Sequence, residues 1–144
     1  MWEEDNKVPL LALEVVSKTY SGEYEQKKID YARLGILYYV IYAPGRGKRR
    51  KRKVLEVYRL VDGQYVLHDE PYWMPEIGLG IGREQGTHQG WTREWLYWYD
   101  AAGNRLLTPE EVAMQASNRA TLAEQRAERL AARLREMGID PDSL

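Results

Sequence analysis

The sequence has no cysteine and only two histidines among its 144 residues. Without cysteine the chain can form no disulfide, no thiolate nucleophile and no cysteine-ligated zinc site, and His68 and His88 are too few for a histidine-rich metal site. It also lacks an apolar run near the roughly 20 residues that cross a bilayer, and its acidic start at residues 3–5 does not resemble a secretory signal. We therefore expect a cytoplasmic protein without a membrane anchor.

Neither sign of charge dominates, because 21 basic and 22 acidic residues give a net charge of −1. Charged residues make up 30% of the chain and hydrophobic residues 44%, which is typical of soluble globular proteins. A chain of this length supports one domain of ordinary size and an appendage. We place the domain at residues 1–108 and a charged, alanine-rich helix with a short tail at residues 109–144.

A strand, a helix and a second strand are predicted near the start of the chain. Residues 8–16 and 37–43 are nearly continuous in apolar character, which is typical of strands buried on both faces. Residues 23–34 between them have helical spacing, and Gly35 is placed to end that helix. Such a unit usually forms a parallel strand pair with a right-handed crossover, so we expect an α/β or mixed α+β fold.

The middle of the chain predicts further strands. Asp62-Gly63 stands between the strand-like residues 54–61 and 64–68 and indicates a hairpin, because glycine tolerates the positive φ of a tight turn. The aromatic residues 91–99 predict another strand. Residues 71–90 are predicted to be irregular, since five glycines fall among them, and the glycine spacing does not match a nucleotide-binding loop.

The C-terminal segment predicts a long helix. Thr108 and Pro109 supply a cap and a first-turn proline, and two glutamates follow at the positive end of the helix dipole. Residues spaced alternately four and three apart form a seam: Ala116, Ala120, Ala123, Ala127, Leu130, Leu134 and Met137. The seam favours packing against a second copy, as in a homodimer, or against another partner. Because alanine buries little area, a solvated helix lying across its own domain is the alternative.

One carboxylate interrupts the first apolar strand. Glu14 lies near the carboxyl end of that strand, where open α/β sheets place their ligands, and a carboxylate there usually has a partner or a metal. Lys27 and Lys28 fall on or beside the apolar stripe of the following helix, so at least one should lean toward the sheet. Such a pair can hold Mg²⁺ and orient the water that attacks a phosphodiester. A partly buried ion pair is the alternative.

Five segments of the chain carry a family resemblance. They are PLLALEVVS, EYEQKKIDYARLGILYYVIYAP and LEVYRLVDGQYVL, followed by WMPEIGLGIG and TREWLYWYDAAGNR. The first three resemble the Uma-type restriction endonucleases of the PD-(D/E)XK nuclease superfamily, and the last two are similar to sequence found downstream in one branch of that family. The resemblance spans about residues 2–105 and implies a restriction-endonuclease-like core that hydrolyses DNA with Mg²⁺.

The resemblance implies roles for two residues. The family's strand glutamate, a metal ligand in an E-V-x-S segment, matches Glu14 at residues 14–17. Its active lysine has moved to the helix, four residues before the tyrosine of a Y-A-R-x-G segment, and counting back from Tyr31 gives Lys27. The family also needs an aspartate from a Pro-Asp pair on a strand preceding the position of Trp2. The resemblance therefore implies an N-terminally truncated core whose Mg²⁺ binding is weakened.

A basic run separates two of the predicted strands. It holds seven cations in eight residues: Arg46, Lys48, Arg49, Arg50, Lys51, Arg52 and Lys53. A loop of this kind facing a duplex would neutralise phosphates and bind DNA without sequence choice, with an affinity that falls steeply with salt. A solvated loop, or a charged guard against edge pairing of the sheet, is the alternative.

The remaining aromatic residues are assigned structural places. The tryptophans at positions 73, 91, 95 and 98 are interpreted as core or interface residues rather than a base-stacking platform. His68 and His88 have no acid nearby at ligand spacing and are interpreted as surface residues.

We therefore predict a Mg²⁺-dependent DNA endonuclease of the Uma type, with Glu14 and Lys27 as the identifiable members of its site. Because the family's first metal-binding aspartate has no counterpart, the site of this chain is expected to be incomplete or inactive. The alternative is a non-catalytic module that binds nucleic acid through the basic run or oligomerises through the C-terminal helix.

Overall fold

A computed structural model of the chain describes residues 7–16, 23–44, 53–69 and 72–144. These ranges contain, in order, β1 Leu11–Val15, α1 Glu23–Leu34, β2 Tyr38–Tyr42, β3 Leu55–Val61, β4 Gln64–Leu67, β5 Trp73–Met74, β6 Leu79–His88, β7 Trp91–Tyr99, α2 Pro109–Glu136 and a 3-10 turn at Pro141–Ser143. The fold is mixed α+β with a C-terminal helix, which confirms the predicted class.

Two units divide the chain, Met1–Arg105 and Leu106–Leu144. The first holds α1 and the seven strands of the described ranges, and the second holds α2 and the 3-10 turn. In the part of the chain that the structure describes, no helix is long and apolar enough to span a bilayer.

The first sheet has the order β1-β2-β3-β4. The predicted parallel pairing of β1 with β2 is confirmed, and the other two pairs are antiparallel. Gly35 ends α1 with a φ of 78°, as the sequence predicts. The predicted hairpin at Asp62-Gly63 is confirmed too, since the two residues have φ of 50° and 78° in a two-residue turn.

Each face of the first sheet has its own cover, because successive side chains of a strand point to opposite faces. Residues 39, 41 and 43 of β2 and its C-terminal flank pack with Val16 and with the α1 residues Tyr24 and Tyr31. The other face packs against the second sheet in a buried cluster: Tyr38, Val40, Tyr42, Leu55, Val57, Tyr72, Met74 and Ile81. The strand predicted at residues 37–43 is therefore buried on both faces, as expected.

The prediction that the first strand is buried on both faces is wrong. β1 lies at the edge of the sheet, and the second sheet packs mainly over β2 and β3. Leu13 and Val15 are consequently 40% and 59% exposed. A run of apolar residues does not reveal which strand a covering layer reaches.

The prediction of an irregular segment at residues 71–90 is also wrong, because β6 is a ten-residue strand in a second sheet of order β5-β6-β7. Its glycines make room for rings on β7. A Cβ on Gly82 would lie 2.7 Å from Cε2 of Tyr99, and one on Gly86 would lie 2.1 Å from the hydroxyl of Tyr97. These glycines therefore serve cross-strand packing rather than chain reversal.

Two tryptophans and both histidines differ from a buried or a fully exposed place. Trp91 and Trp98 are 71% and 38% exposed, so of the two places predicted for the tryptophans, core or domain interface, these two do not lie in the core. Both histidines are half-buried rather than on the surface. The His88 Nε2 lies 2.8 Å from the Tyr97 hydroxyl, because Gly86, two residues before His88, leaves space for both side chains. The His68 ring packs edge-on against a buried tyrosine.

The start of α2 is confirmed as predicted. The Thr108 hydroxyl accepts a hydrogen bond from the Glu111 backbone N–H, and the Glu111 carboxylate accepts one from the Thr108 N–H, which makes a complete capping box. The helix ends at Glu136, close to the predicted Met137. No residue of α2 is buried.

Glu76, in the turn between β5 and β6, ties the two sheets together. Its carboxylate accepts a hydrogen bond from the Tyr38 hydroxyl and pairs with Arg59, and both partners belong to the first sheet. The hydrogen bond from Tyr38, followed by a backbone hydrogen bond, lowers the pKa of Glu76 below its ordinary 4.5. A carboxyl whose pKa is depressed by folding stabilises the native state only while it is ionised.

We expect this contribution to be present above pH 4.5 and to disappear as the pH falls through the lowered pKa of Glu76. Urea unfolding between pH 7 and pH 3 should therefore show a smaller acid-induced loss of stability for Glu76→Gln than for the wild type. Asp69→Asn is the matched control, since the Asp69 side chain is 95% exposed. An identical pH dependence for Glu76→Gln and the wild type would refute the assignment.

Candidate active site

Strand register places Glu14 in a row with two neighbours. Glu14 pairs with Ile41 of β2, and Ile41 pairs with Glu56 of β3, so the three side chains point to the face covered by α1. Glu14 is the penultimate residue of β1, near its carboxyl end. Its side chain is 15% exposed, so it is largely buried at the edge of the helix-covered face.

Two side chains of α1 hold the Glu14 carboxylate. The Lys27 Nζ lies 2.9 Å from Glu14 Oε2, and the Tyr31 hydroxyl donates to Glu14 Oε1 at 2.9 Å. The two donors are four residues apart and therefore project from successive turns of the helix on one side. Each carboxylate oxygen thus receives one hydrogen bond, and the predicted neighbours Glu14 and Lys27 are in direct contact.

The charges of these groups follow from their contacts. The hydrogen bond to Glu14 raises the pKa of the Lys27 ammonium above its ordinary 10.5. Burial, followed by the hydrogen bond to Glu14, raises the pKa of the Tyr31 hydroxyl above 10.0. At neutral pH Lys27 is therefore a cation and Tyr31 is neutral, so both act as hydrogen-bond donors and neither can accept a proton from water.

Lys28 points elsewhere, although it is the neighbour of Lys27. Its Nζ lies 4.1 Å above the centre of the Tyr58 ring and 3.6 Å from the Glu25 carboxylate. Of the two lysines, Lys27 is therefore the one that contacts Glu14. Both lysines lean toward the sheet, where one was the minimum expected.

Sequence reasoning missed two polar residues near this row. The sequence predicts Tyr31 as part of the apolar helix stripe and of the family motif, and its position one turn after Lys27 is the signal for a shared partner. Glu56 is 8% exposed and accepts a hydrogen bond from the Tyr58 hydroxyl at 3.1 Å. It lies two strands from Glu14, or about 10 Å at the usual interstrand spacing, so the two carboxylates do not converge directly.

The described residues fit one part of a Mg²⁺ site. Glu14 offers hard oxygen donors, and a carboxylate with about four lone-pair positions keeps some free after two hydrogen bonds. Within the described ranges, however, no three histidine, aspartate or glutamate side chains cluster as ligands would. Glu14 can therefore act as one ligand, and this part of the chain places no second carboxylate beside it.

Several predicted contacts lie outside the described residues. They are the segment around Trp2, Ser17 of the motif, and six cations of the basic run, namely Arg46, Lys48, Arg49, Arg50, Lys51 and Arg52. Lys53 is described and exposed, and its Nζ lies 4.0 Å from an Asp69 oxygen. None of the described contacts connects Lys53 to Glu14.

A comparison with protein families decides the affiliation of the chain. The Uma2 family model, described as "Putative restriction endonuclease", matches residues 1–82. This chain belongs to the Uma2 family. The Uma2 match contains Glu14, Lys27 and Tyr31, whereas β7 and α2 lie beyond it. No curated protein matches the chain, and no solved structure matches it.

Proposed function

We propose that this chain carries the Glu14–Lys27 part of a DNA endonuclease site that hydrolyses phosphodiester bonds with a divalent cation. The observation that carries the proposal is the Glu14 carboxylate at the carboxyl end of β1, held by a cationic lysine and a tyrosine hydroxyl at 2.9 Å each. The description of the Uma2 family as a restriction endonuclease supports DNA as the substrate.

Lys27 acts in this proposal as a fixed cation. Because its pKa is raised by Glu14, it stays protonated and donates hydrogen bonds to a phosphate oxygen or to the attacking water. The charge that develops on the phosphate during hydrolysis is stabilised by such a donor, and the donor needs no rearrangement at the moment of reaction. The proton released by the water must pass to a group other than Lys27.

Glu14 is the metal ligand in this proposal. When bound, Mg²⁺ supplies Lewis-acid stabilisation of the phosphate oxygens. Tyr31 holds one carboxylate oxygen and so fixes the orientation of Glu14. Because the described residues contribute a single carboxylate beside Lys27, we expect weak binding of the cation and slow cleavage.

Plasmid nicking tests the activity. Supercoiled DNA is incubated with the chain in Mg²⁺ or Mn²⁺, with a chelator control, and we expect Glu14→Gln to lose the cation-dependent nicking. Glu23→Gln, an exposed carboxylate at the start of α1, should keep it. Equal rates for Glu14→Gln and the wild type would exclude Glu14 from the site.

Binding of a lanthanide tests the metal ligand without requiring turnover. Tb³⁺ is a hard cation that prefers oxygen ligands, and its luminescence is sensitised by a nearby tyrosine. With Tyr31 in contact with Glu14, the wild type should give sensitised emission that Mg²⁺ competes away and Glu14→Gln lacks. Emission of unchanged intensity in Glu14→Gln would contradict metal binding at this residue.

Tyr31 is a positioning residue, and its removal should weaken the site without abolishing it. We expect Tyr31→Phe to reduce cation affinity by about 10-fold to 100-fold, as partners of metal-binding carboxylates usually do. The half-saturating Mn²⁺ concentration for nicking should rise accordingly, while the rate at saturating Mn²⁺ changes less. A loss of rate at saturation, with an unchanged Mn²⁺ requirement, would contradict a positioning role.

The basic run is proposed as a contact for the DNA backbone. The basic run lies in the connection between the end of β2 and the start of β3. At this end of the sheet Tyr42 of β2 pairs with Leu55 of β3, and it also pairs with Val15, the residue after Glu14. Both anchors of the run are thus at the end of the sheet that carries Glu14. Duplex affinity should fall steeply with salt, and an affinity that is constant between low and moderate salt would exclude phosphate contact.

Assembly through α2 is the second candidate, and its support is the exposure of the seam. None of the helix residues is buried, and Leu130 and Met137 are 54% and 70% exposed. A second copy would cover these side chains in a homodimer. Sedimentation should show a dimer that Leu130→Asp dissociates, whereas Leu122→Asp, at a leucine that is 65% exposed but off the seam, leaves it intact. Equal masses for Leu130→Asp and the wild type would reject the seam.

A further inference from the structure

We propose that the distal part of the β6–β7 hairpin, residues 85–93, enters a groove of duplex DNA and positions the substrate of the Glu14 site. This proposal rests on DNA being the substrate, and it adds an element that lies outside the Uma2 match. Four observations carry it: the direction of the hairpin, its reach, the chemistry of its tip and the packing of Arg93.

The hairpin runs toward the end of the sheet that carries Glu14. At the other end, Tyr38 at the start of β2 contacts Glu76 in the turn that precedes β6. At the near end, the Tyr42 hydroxyl donates to the backbone oxygen of Glu94 in β7 at 3.4 Å. Tyr42 also pairs with Val15, the residue that follows Glu14. The hairpin therefore crosses the sheet from the Tyr38 end to the Glu14 end.

The hairpin continues beyond that end. Three residues lie between Glu94 and the Gln89-Gly90 turn, so the turn is about 13 Å of extended strand beyond Glu94. The turn has positive φ at both residues, 50° and 78°, and this compact form keeps the two strands paired to the tip. A two-stranded β-ribbon fits into the major groove of B-DNA, which is about 12 Å wide.

The tip has the side-chain chemistry of a groove reader. Residues 85–93 include no acid, and their polar side chains are Gln85, Thr87, His88, Gln89, Thr92 and Arg93. Amide, hydroxyl and guanidinium groups are those that hydrogen-bond to base edges and phosphates. The tip therefore presents a cation and hydrogen-bonding side chains, and it has no carboxylate that would repel the phosphates.

Arg93 is held in place but keeps its donors free. Its guanidinium stacks 4.0 Å above the Trp95 ring, and the side chain is exposed. Among the described residues it forms no ion pair, whereas Arg83 on the same hairpin is bound to Glu94 at 3.1 Å. Stacking fixes the plane of the guanidinium and therefore the direction of its N–H donors, which suits bidentate contact with the O6 and N7 of guanine.

The packing of the rings favours a duplex over a single strand. Single-stranded nucleic acid binds by stacking its bases on open aromatic faces. On this hairpin, Arg93 covers the ring of Trp95, and Arg105 lies 4.4 Å above the ring of Tyr97. Two aromatic faces of the hairpin are thus covered by cations, and the Trp91 ring at the tip, 71% exposed, offers a face for one base rather than for a run of them.

Duplex binding in a chelator tests the proposal apart from cleavage. Fluorescence anisotropy with a mixed-sequence duplex should give an affinity about 10-fold to 100-fold lower for Arg93→Ala than for the wild type, in line with loss of a bidentate contact. Arg33→Ala is the matched control, because Arg33 is exposed in the last turn of α1, which leads to the opposite end of the sheet. It should bind as the wild type does.

Arg93→Lys distinguishes bidentate hydrogen bonding by the guanidinium from attraction by a positive charge alone. The bound wild type should protect guanine N7 of the duplex from a methylating reagent. Bound Arg93→Lys should give no such protection, although the lysine keeps the charge. Unchanged duplex affinity in Arg93→Ala, or tighter binding of single strands than of the duplex, would overturn the proposal. If binding depends on Arg93 but cation-dependent nicking is absent, the nuclease assignment fails, whereas duplex binding by the hairpin stands.

Discussion

Replacing Lys27 by alanine should reduce cation-dependent DNA cleavage by about 10²-fold to 10³-fold, the loss that usually follows removal of one fixed donor from a developing oxyanion. The reason lies in the contacts of the ammonium. Its Nζ is 2.9 Å from Glu14, and that contact raises the pKa of Lys27, so the group is a permanent cation beside the proposed metal ligand. Of the two donors to Glu14, Lys27→Ala leaves only the Tyr31 hydroxyl.

Lys28→Ala is the matched control for this prediction. It removes the same charge from the adjacent residue of α1, but the Lys28 ammonium packs over Tyr58 and pairs with Glu25 instead of Glu14. Initial rates of plasmid nicking at saturating Mn²⁺ should therefore separate the two variants by at least tenfold. Equal rates for Lys27→Ala and Lys28→Ala would show that Lys27 contributes only general positive charge.

The candidate site could be predicted in part because its members break local rules. Glu14 stands out as a carboxylate in an apolar strand, and Lys27 lies beside the apolar stripe of a helix. Spacing alone did not choose between Lys27 and Lys28, since both lie toward the sheet. Tyr31 escaped prediction because a tyrosine on a helix stripe fits the core equally well, and the direction of its hydroxyl depends on the strand beneath.

The fold was predictable where local chemistry determines it. Gly35 and Asp62-Gly63 adopt positive φ, and Thr108 caps α2, because these residues act on their own backbone. β6 was not predictable in this way. Its glycines weaken strand propensity, and the compensation comes from Tyr97 and Tyr99, which belong to another strand. The exposure of β1 likewise depends on which strands the second sheet covers.

The contact between the two sheets leads to the largest expected change in stability. Met74 is fully buried and belongs to the cluster that joins β2 and β3 to β5 and β6. Met74→Ala should lower the free energy of unfolding by about 2–5 kcal/mol, because it removes buried apolar atoms and leaves a cavity between the layers. Urea unfolding followed by tryptophan fluorescence reports on this sheet, since Trp73 is the neighbour of Met74.

Met114→Ala provides the comparison, because Met114 lies on α2 and is 65% exposed. It should change the free energy of unfolding by about 0.5 kcal/mol or less. Equal urea midpoints for the two variants would mean that the sheets do not unfold as one structure.

The sheet contact also supports the Glu14 site, since Tyr42 lies in the same cluster and connects the hairpin to the residue beside Glu14. Met74→Ala should therefore weaken duplex binding at urea concentrations that leave the wild type unaffected.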